Sequence, residues 1–294
     1  MTDTLQLSHL EQTSYFAATR QGLQVLDADD VSRLVEVSRP HAIKLLADMA
    51  RKGALHRVGR GKYVVIPADV LYGRQTYVAD PYQVIDALIS ENGGSGYYVA
   101  YQSAVLVYGA AQQLPQALLV AVPRQRRPIA LGSGQILFVQ VRSEKFFGYR
   151  SARYHEATFA VSDREKTVLD CLDRYDLCGG VEEVSQTIAA LLPQLDTDRL
   201  LAYAPRMGSQ ALTQRLGLIL ERLAASQPVA EALLHGLAGH VGRKAYLLDP
   251  HGPAQGPVHP RWRIRENIAI LAEGLPISAE AAILGPEDIQ VFQP

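Results

Sequence analysis

The 294-residue sequence predicts an α+β fold in two domains: a small helix-and-hairpin unit over 1–80 and a larger mixed α/β body over 81–294. Three observations carry this. The stretch 26–66, LDADDVSRLVEVSRPHAIKLLADMARKGALHRVGRGKYVVI, shows helical periodicity first and strand-like runs after. Beyond residue 80, strand-like runs come mainly first and amphipathic helical runs follow, the order of an α+β domain. The chain is also long enough to bury two cores.

The first unit opens with a capping box, Ser8-His9-Leu10-Glu11, which starts a helix running to about Gln21. Leu10, Ser14, Ala17 and Ala18 are expected to face the helices that follow. Asp27 is the next N-cap, with Asp30 close to the positive helix end. Ala28, Val31, Leu34 and Val35 form one apolar stripe. After a short turn at Val37, Ser38 caps a third helix, and Pro40 is tolerated in its first turn. Ala42, Leu45, Leu46 and Met49 repeat at helical spacing and should be core. Gly53 stops the helix. Residues 55–58 and 62–66 then read as two strands joined by Gly59-Arg60-Gly61, where glycine permits positive φ. Three helices followed by a hairpin is the order of a winged helix-turn-helix.

Charge points the same way. Residues 39–62 contain seven Lys/Arg and one acid, a net of +6, within a chain of net charge −1; the remainder therefore carries −7. Cations gathered on one small module are the footprint of a phosphate-binding surface. The candidate base-reading residues are Ser38, Arg39, His41 and Lys44, at the start of the third helix. The candidate phosphate contacts are Lys52, Arg57, Arg60 and Lys62. About six neutralised phosphates would give a log–log salt slope of about −5. Arg39→Ala should relax sequence preference, and Lys62→Ala should weaken all sequences alike. GRGKY is not a phosphate loop, because no Ser or Thr follows the Lys and the long glycine spacing is absent.

Hydrophobic content of 48% and charged content of 20% are those of a globular protein. No apolar run approaches the ~20 residues that span a bilayer, and the first residues, MTDTLQLSHLEQ, lack signal-peptide character. Membrane partners are therefore not expected. Cys171 and Cys178 form no CxxC or metal set, which suits a reduced, cytoplasmic setting.

In the body, Asp80-Pro81 begins a helix with Val84, Ile85, Leu88 and Ile89 on one face. Asn92-Gly-Gly-Ser-Gly96 reads as a flexible joint. YYVAYQSAVLVYG runs from a strand or helix start into an apolar helix ending at Gly109. Residues 118–122, 136–141 and 158–161 read as strands. Ser162 and Glu165 form a second capping box, with Val168, Leu169 and Leu172 as the buried stripe. Helices are expected over 181–192, 196–204, 210–223 and 229–239. Residues 246–248 read as a strand and the Pro/Gly-rich 249–260 as loop. Arg261, Arg263 and Arg265 alternate with Trp262 and Ile264, which is strand spacing with an arginine face. With the loop cations Arg124, Arg126 and Arg127, these form a possible secondary basic surface, although basic residues also protect edge strands.

Catalytic and metal constellations are sparse, and no cofactor motif stands out. Glu165, Lys166 and Asp170 are the best candidates for a rival reading, a nucleic-acid-associated nucleotidyl- or phosphoryl-transfer enzyme. The capping box already accounts for Glu165, however, and Lys166 and Asp170 read as a surface i,i+4 pair worth a few tenths of a kcal/mol. His155-Glu156 lacks a second His at zinc-helix spacing. His235 and His240 do not share a helix face, and His251 and His259 fall in loop. Gly132-Ser133-Gly134 is a fragment of a dinucleotide fingerprint that better suits a strand turn. No catalytic or metal site is expected.

Taken in order, RGKYVVIP, YYVAYQSAVLVYG, FFGYR, VSDREKTVLDCLDR with GG shortly after, ALTQRLGLILE and RWRIREN resemble the AbiEi-type antitoxins, regulators of type IV toxin–antitoxin and abortive-infection systems. The resemblance runs from about Val25 to Asn267. It implies a winged-helix transcriptional repressor that binds double-stranded DNA in its own promoter and autoregulates its operon. It also implies a C-terminal domain needed for antitoxicity, and a nucleotidyltransferase-like toxin as functional partner. The EKTVLD block carries no catalytic role with it. The tail after Asn267 has no counterpart.

Overall fold

Six elements build the N-terminal unit: α1 (His9–Arg20), β1 (Val25–Leu26), α2 (Ala28–Val35), α3 (Arg39–Arg51), β2 (Leu55–Gly59) and β3 (Lys62–Val65). The computed structural model describes residues 6–72, 80–89, 96–111, 116–131, 134–155, 157–269 and 289–292. All three expected helix starts are present, and the first two carry side-chain caps. Ser8 and Glu11 close a reciprocal capping box at α1, and Asp27 and Asp30 close another at α2. Each satisfies two backbone N–H groups that would otherwise lack partners. At the end of α3, Gly53 sits at φ +83°, a conformation that favours glycine.

Strand β1 was not expected. Two residues are too short to show periodicity, yet β1 pairs antiparallel with β3 to make a three-stranded sheet of order β1-β3-β2. The α1 face also differs from expectation. Leu10 is exposed, whereas Tyr15 is buried and its hydroxyl donates to the Ile66 carbonyl at 2.6 Å. Ser14 and Ala18 are buried as expected.

This small sheet buries both faces, with successive residues on opposite sides. Leu26, Leu55, Tyr63 and Val65 join Val31, Leu45, Leu46 and Met49 in a core under the three helices. Val25, Val58 and Val64 turn the other way. They pack into a second core with Tyr82, Ile85, Val120 and Phe159 of the body. On β2, His56 Nε2 lies 3.0 Å from the Ala130 carbonyl oxygen. The expected domain boundary near Asp80 adjoins residues 73–79, which lie outside the described residues, as do 92–95 of the expected joint. Helix α4 (Ala68–Tyr72) precedes that gap and α5 (Pro81–Ile89) follows it.

After α5 the body continues with β4 (Tyr98–Val99), α6 (Tyr101–Val107), β5 (Ala117–Val122), β6 (Ile129–Leu131), β7 (Gly134–Gln140), β8 (Tyr149–Tyr154) and β9 (Ala157–Ser162). Helices α7 (Arg164–Asp173), α8 (Val181–Leu191), α9 (Thr197–Arg206), α10 (Gln210–Leu223) and α11 (Glu231–Ala238) follow, then β10 (Tyr246–Leu247), β11 (Ile264–Arg265) and β12 (Ile289–Val291). The main sheet has seven strands in the order β12-β8-β9-β4-β5-β7-β6. The β4–β9 and β5–β7 pairs are parallel. On β5, Leu118, Val120 and Val122 face the core shared with the N-terminal unit, while Leu119 and Ala121 face the helices α6–α11. Cover on both faces explains why this strand reads as an unbroken apolar run. Strands β6, β8 and β12 escaped the sequence reading. Strand β8, YRSARY, carries two arginines and is mostly exposed or half-buried, so no apolar alternation marks it.

Two expectations about side chains are overturned. The cap of α7 is Asp163, whose carboxylate accepts the Lys166 N–H, rather than Ser162. Ser162 instead bonds Thr167 Oγ1 at 2.7 Å. The 261–265 stretch is not a strand with an arginine face. Arg263 adopts φ +52° and only Ile264–Arg265 pair as strand, so the alternation is broken. Trp262 is fully buried against Gly217 of α10, where an added Cβ would fall 2.1 Å from the indole.

Candidate nucleic-acid interface

The turn between α2 and α3 sets the direction of α3. Glu36 ends α2 in the left-handed region at φ +51°. The Val37 N–H then bonds back to the Ser32 carbonyl, and Ser38 is extended before α3 begins. Ser38 makes no side-chain cap bond and is exposed, so its hydroxyl is available outward. Ala42, Leu45, Leu46 and Met49 anchor the inner face of α3. At about 100° per residue, the opposite face centres on Pro40, Ile43, Lys44, Ala47 and Arg51, and all five are exposed. Arg39 and His41 flank it and are exposed too.

The eight candidate residues therefore divide in two. Ser38, Arg39, His41 and Lys44 lie together at the outward N-terminal half of α3, while Arg57 and Arg60 are exposed on the hairpin. Arg39 bonds Asp29 at 2.7 Å, but both side chains are 65% exposed, so this pair is weak and exchangeable. Lys52 and Lys62 behave differently. Lys52 Nζ donates at 2.6 Å to Glu11, which is buried. Lys62 Nζ donates at 2.9 Å to Asp27, the cap of α2, and the lysine side chain is only 17% exposed. These two ammoniums tie α1 and α2 to α3 and the hairpin. Burial alone would raise the Glu11 and Asp27 carboxyls. Lys52 and the Ser8 hydrogen bonds together outweigh it at Glu11, and the Asp30 N–H together with Lys62 outweighs it at Asp27, so both pKa values are lowered.

The secondary basic residues also divide. Arg124 and Arg127 are exposed in the β5–β6 loop, and Arg126 lies over the Phe138 ring at 6.0 Å. Arg261 bonds Glu221 at 3.3 Å, Arg263 donates to the Arg243 carbonyl and Arg265 donates to the Gly256 carbonyl. The second triplet thus ties its segment to α10, to the backbone at Arg243 and to its own loop.

Ile43 was absent from the sequence-derived set. It is 53% exposed, among the largest exposures of a hydrophobic side chain in the described residues. The signal was available: residues 40, 43 and 47 lie opposite the buried stripe on a helical wheel.

The candidate catalytic residues do not converge. Glu165 turns toward α9, accepting the Asp196 N–H at 2.7 Å and Arg199 at 3.5 Å; it caps a neighbouring helix. Lys166 and Asp170 pair with each other and, contrary to the surface pair expected, are 0% and 2% exposed. Lys166 Nζ also donates to the Tyr98 hydroxyl at 3.0 Å. Burial raises the Asp170 carboxyl, partly opposed by Lys166, and one Asp170 oxygen has no hydrogen-bond partner. With no solvent-facing surface, this pair cannot meet a substrate in this conformation. Among the described residues, no group of three or more His, Cys, Asp or Glu could hold a metal ion. Glu156, Gly132 and Ser133 lie outside the described residues. Cys171 and Cys178 are both free and buried. No described helix is long and apolar enough to cross a membrane.

No protein-family model and no curated protein matches this chain. A solved structure does: that of the RV2827C protein from Mycobacterium tuberculosis, with a TM-score of 0.65 at 13% sequence identity, covering 88% of this chain and 92% of that one. At that identity the likeness is one of fold.

Proposed function

We propose, starting from a fold shared along nearly its full length with the RV2827C protein, that this chain is a DNA-binding transcriptional repressor whose N-terminal unit is a winged helix-turn-helix. Helix α3 is the recognition helix and the β2–β3 hairpin is the wing. The observation that carries this reading is the outward half of α3. There, Ser38, Arg39, His41 and Lys44 stand exposed together on a helix firmly anchored by its opposite face. Such a helix enters a major groove with its N-terminal residues toward the base edges. Arg57 and Arg60 on the wing then reach phosphates and fix the register.

The AbiEi-like motifs extend the proposal. The protein represses its own promoter and acts as antitoxin toward a nucleotidyltransferase-like toxin, with the body serving that second role. No catalysis is assigned to the buried Lys166–Asp170 pair, and no cofactor is invoked. A mobility-shift assay of the full chain on the duplex upstream of its own gene tests the reading. Retardation at low salt that competitor DNA removes only at large excess is expected. Equal affinity for every duplex, or no retardation at low ionic strength, overturns it. Co-expression with an adjacent nucleotidyltransferase-like gene tests the antitoxin role: growth arrest by that gene alone should be relieved by this chain.

A further inference from the structure

The outward face of α3 is not simply basic. Pro40, Ile43 and Ala47 form an apolar ridge along its centre, bordered by Arg39, His41 and Lys44. An exposed isoleucine has no cause in the packing of this unit, because the core beneath α3 is complete without it. A protein surface meeting only phosphates would also gain nothing from it. The major groove contains one apolar feature, the C5-methyl of thymine, which small apolar side chains contact and which distinguishes T from C.

We propose that Ile43, with Ala47 one turn further along, reads thymine methyl groups, so that the operator carries A·T pairs beneath the middle of α3. This rests on the DNA-binding reading above. The occupant is duplex DNA rather than a protein because the ridge is bordered by cations, and Lys44 has no ion pair among the described residues. Arg39 supplies hydrogen bonds at the N-terminal end of the helix, where bidentate contact with guanine is available. The ridge supplies discrimination farther along, by contact rather than hydrogen bonding.

The test uses the full chain and duplexes selected by it from a random-sequence library. Each thymine of the enriched core is replaced singly by deoxyuridine, which removes one methyl and preserves pairing. One or two positions should weaken binding about fourfold, the effect of withdrawing one methyl from contact. The Ile43→Ala variant should lose that response at one position and keep the wild-type salt dependence. Its thermal midpoint should match wild type, as expected for a half-exposed side chain. If the wild-type chain enriches no sequence, the DNA-binding reading fails and this inference with it. If it enriches sequences that tolerate deoxyuridine everywhere, this inference alone fails. It fails likewise if Ile43→Ala abolishes self-association while the response to deoxyuridine is unchanged, because the ridge is then a contact between copies of the chain.

Discussion

Under the proposed DNA-binding function, removing the two hairpin arginines should change how binding responds to salt, and by a calculable amount. The structure leaves four cations of the sequence-derived set exposed on α3 and the hairpin: Arg39, Lys44, Arg57 and Arg60. Lys52 and Lys62 are committed to Glu11 and Asp27. Four cations brought against the duplex, at base edges or at phosphates, each displace about one condensed counterion and give a log–log slope of about −3.6, shallower than the value of about −5 that six would give. Between 50 and 200 mM salt, affinity then falls about 150-fold. The Arg57→Ala/Arg60→Ala variant retains two such contacts, a slope of about −1.8, and should fall only about 12-fold over the same range. Fluorescence anisotropy on one duplex at five salt concentrations reads both slopes. The Lys52→Met/Lys62→Met variant is the control: its slope should match wild type while its stability drops. The reasoning is refuted if the lysine variant flattens the slope as much as the arginine variant does, since the internal pairs would then not govern which cations reach the duplex.

Three further outcomes concern stability. Glu11 and Asp27 have lowered folded pKa values, so their contribution is present above the unfolded values and lost as pH falls through the folded ones; urea midpoints should decline below about pH 4, and less steeply in the Lys52→Met/Lys62→Met variant. Lys166→Met leaves Asp170 buried without its counter-charge and should cost about 3–5 kcal/mol, whereas Lys166→Met/Asp170→Leu should recover most of that loss, a contrast that denaturant titration can resolve. Gly217→Ala drives a methyl into the Trp262 indole and should cost about 1–3 kcal/mol by overpacking; adding Trp262→Leu should return part of that, as measured by thermal melts.

Local signals were the legible ones. The capping box at Ser8, the N-cap at Asp27, the helical spacing of Ala42, Leu45, Leu46 and Met49, and the glycine at the end of α3 each act within a few residues, so the sequence displays them directly. Helix α10 was expected over the residues it occupies because its apolar stripe is long and regular. What stayed hidden depends on distant partners. Strand β1 exists because β3 lies beside it, and β8 because β9 and β12 flank it. The fates of Lys52, Lys62 and Glu165 were set by Glu11, Asp27 and the end of α9, between 31 and 41 residues away in sequence. A cation count cannot separate an ammonium that is already occupied from one that faces outward. Nor does residue type alone reveal that an i,i+4 pair such as Lys166–Asp170 lies under a sheet.

Because Val25, Val58 and Val64 are shared with the body's own core, the hairpin sheet works as a weld rather than a hinge. A module mounted this way does not swivel on a tether, so in the proposed complex it cannot turn to suit whatever duplex it meets. In that complex the larger mass behind it would dictate the heading of the groove. If the proposed function holds, two molecules bound at adjacent sites on one duplex hold their bulk at a fixed azimuth around the double helix, and inserting half a helical turn between the sites carries one of them to the opposite side.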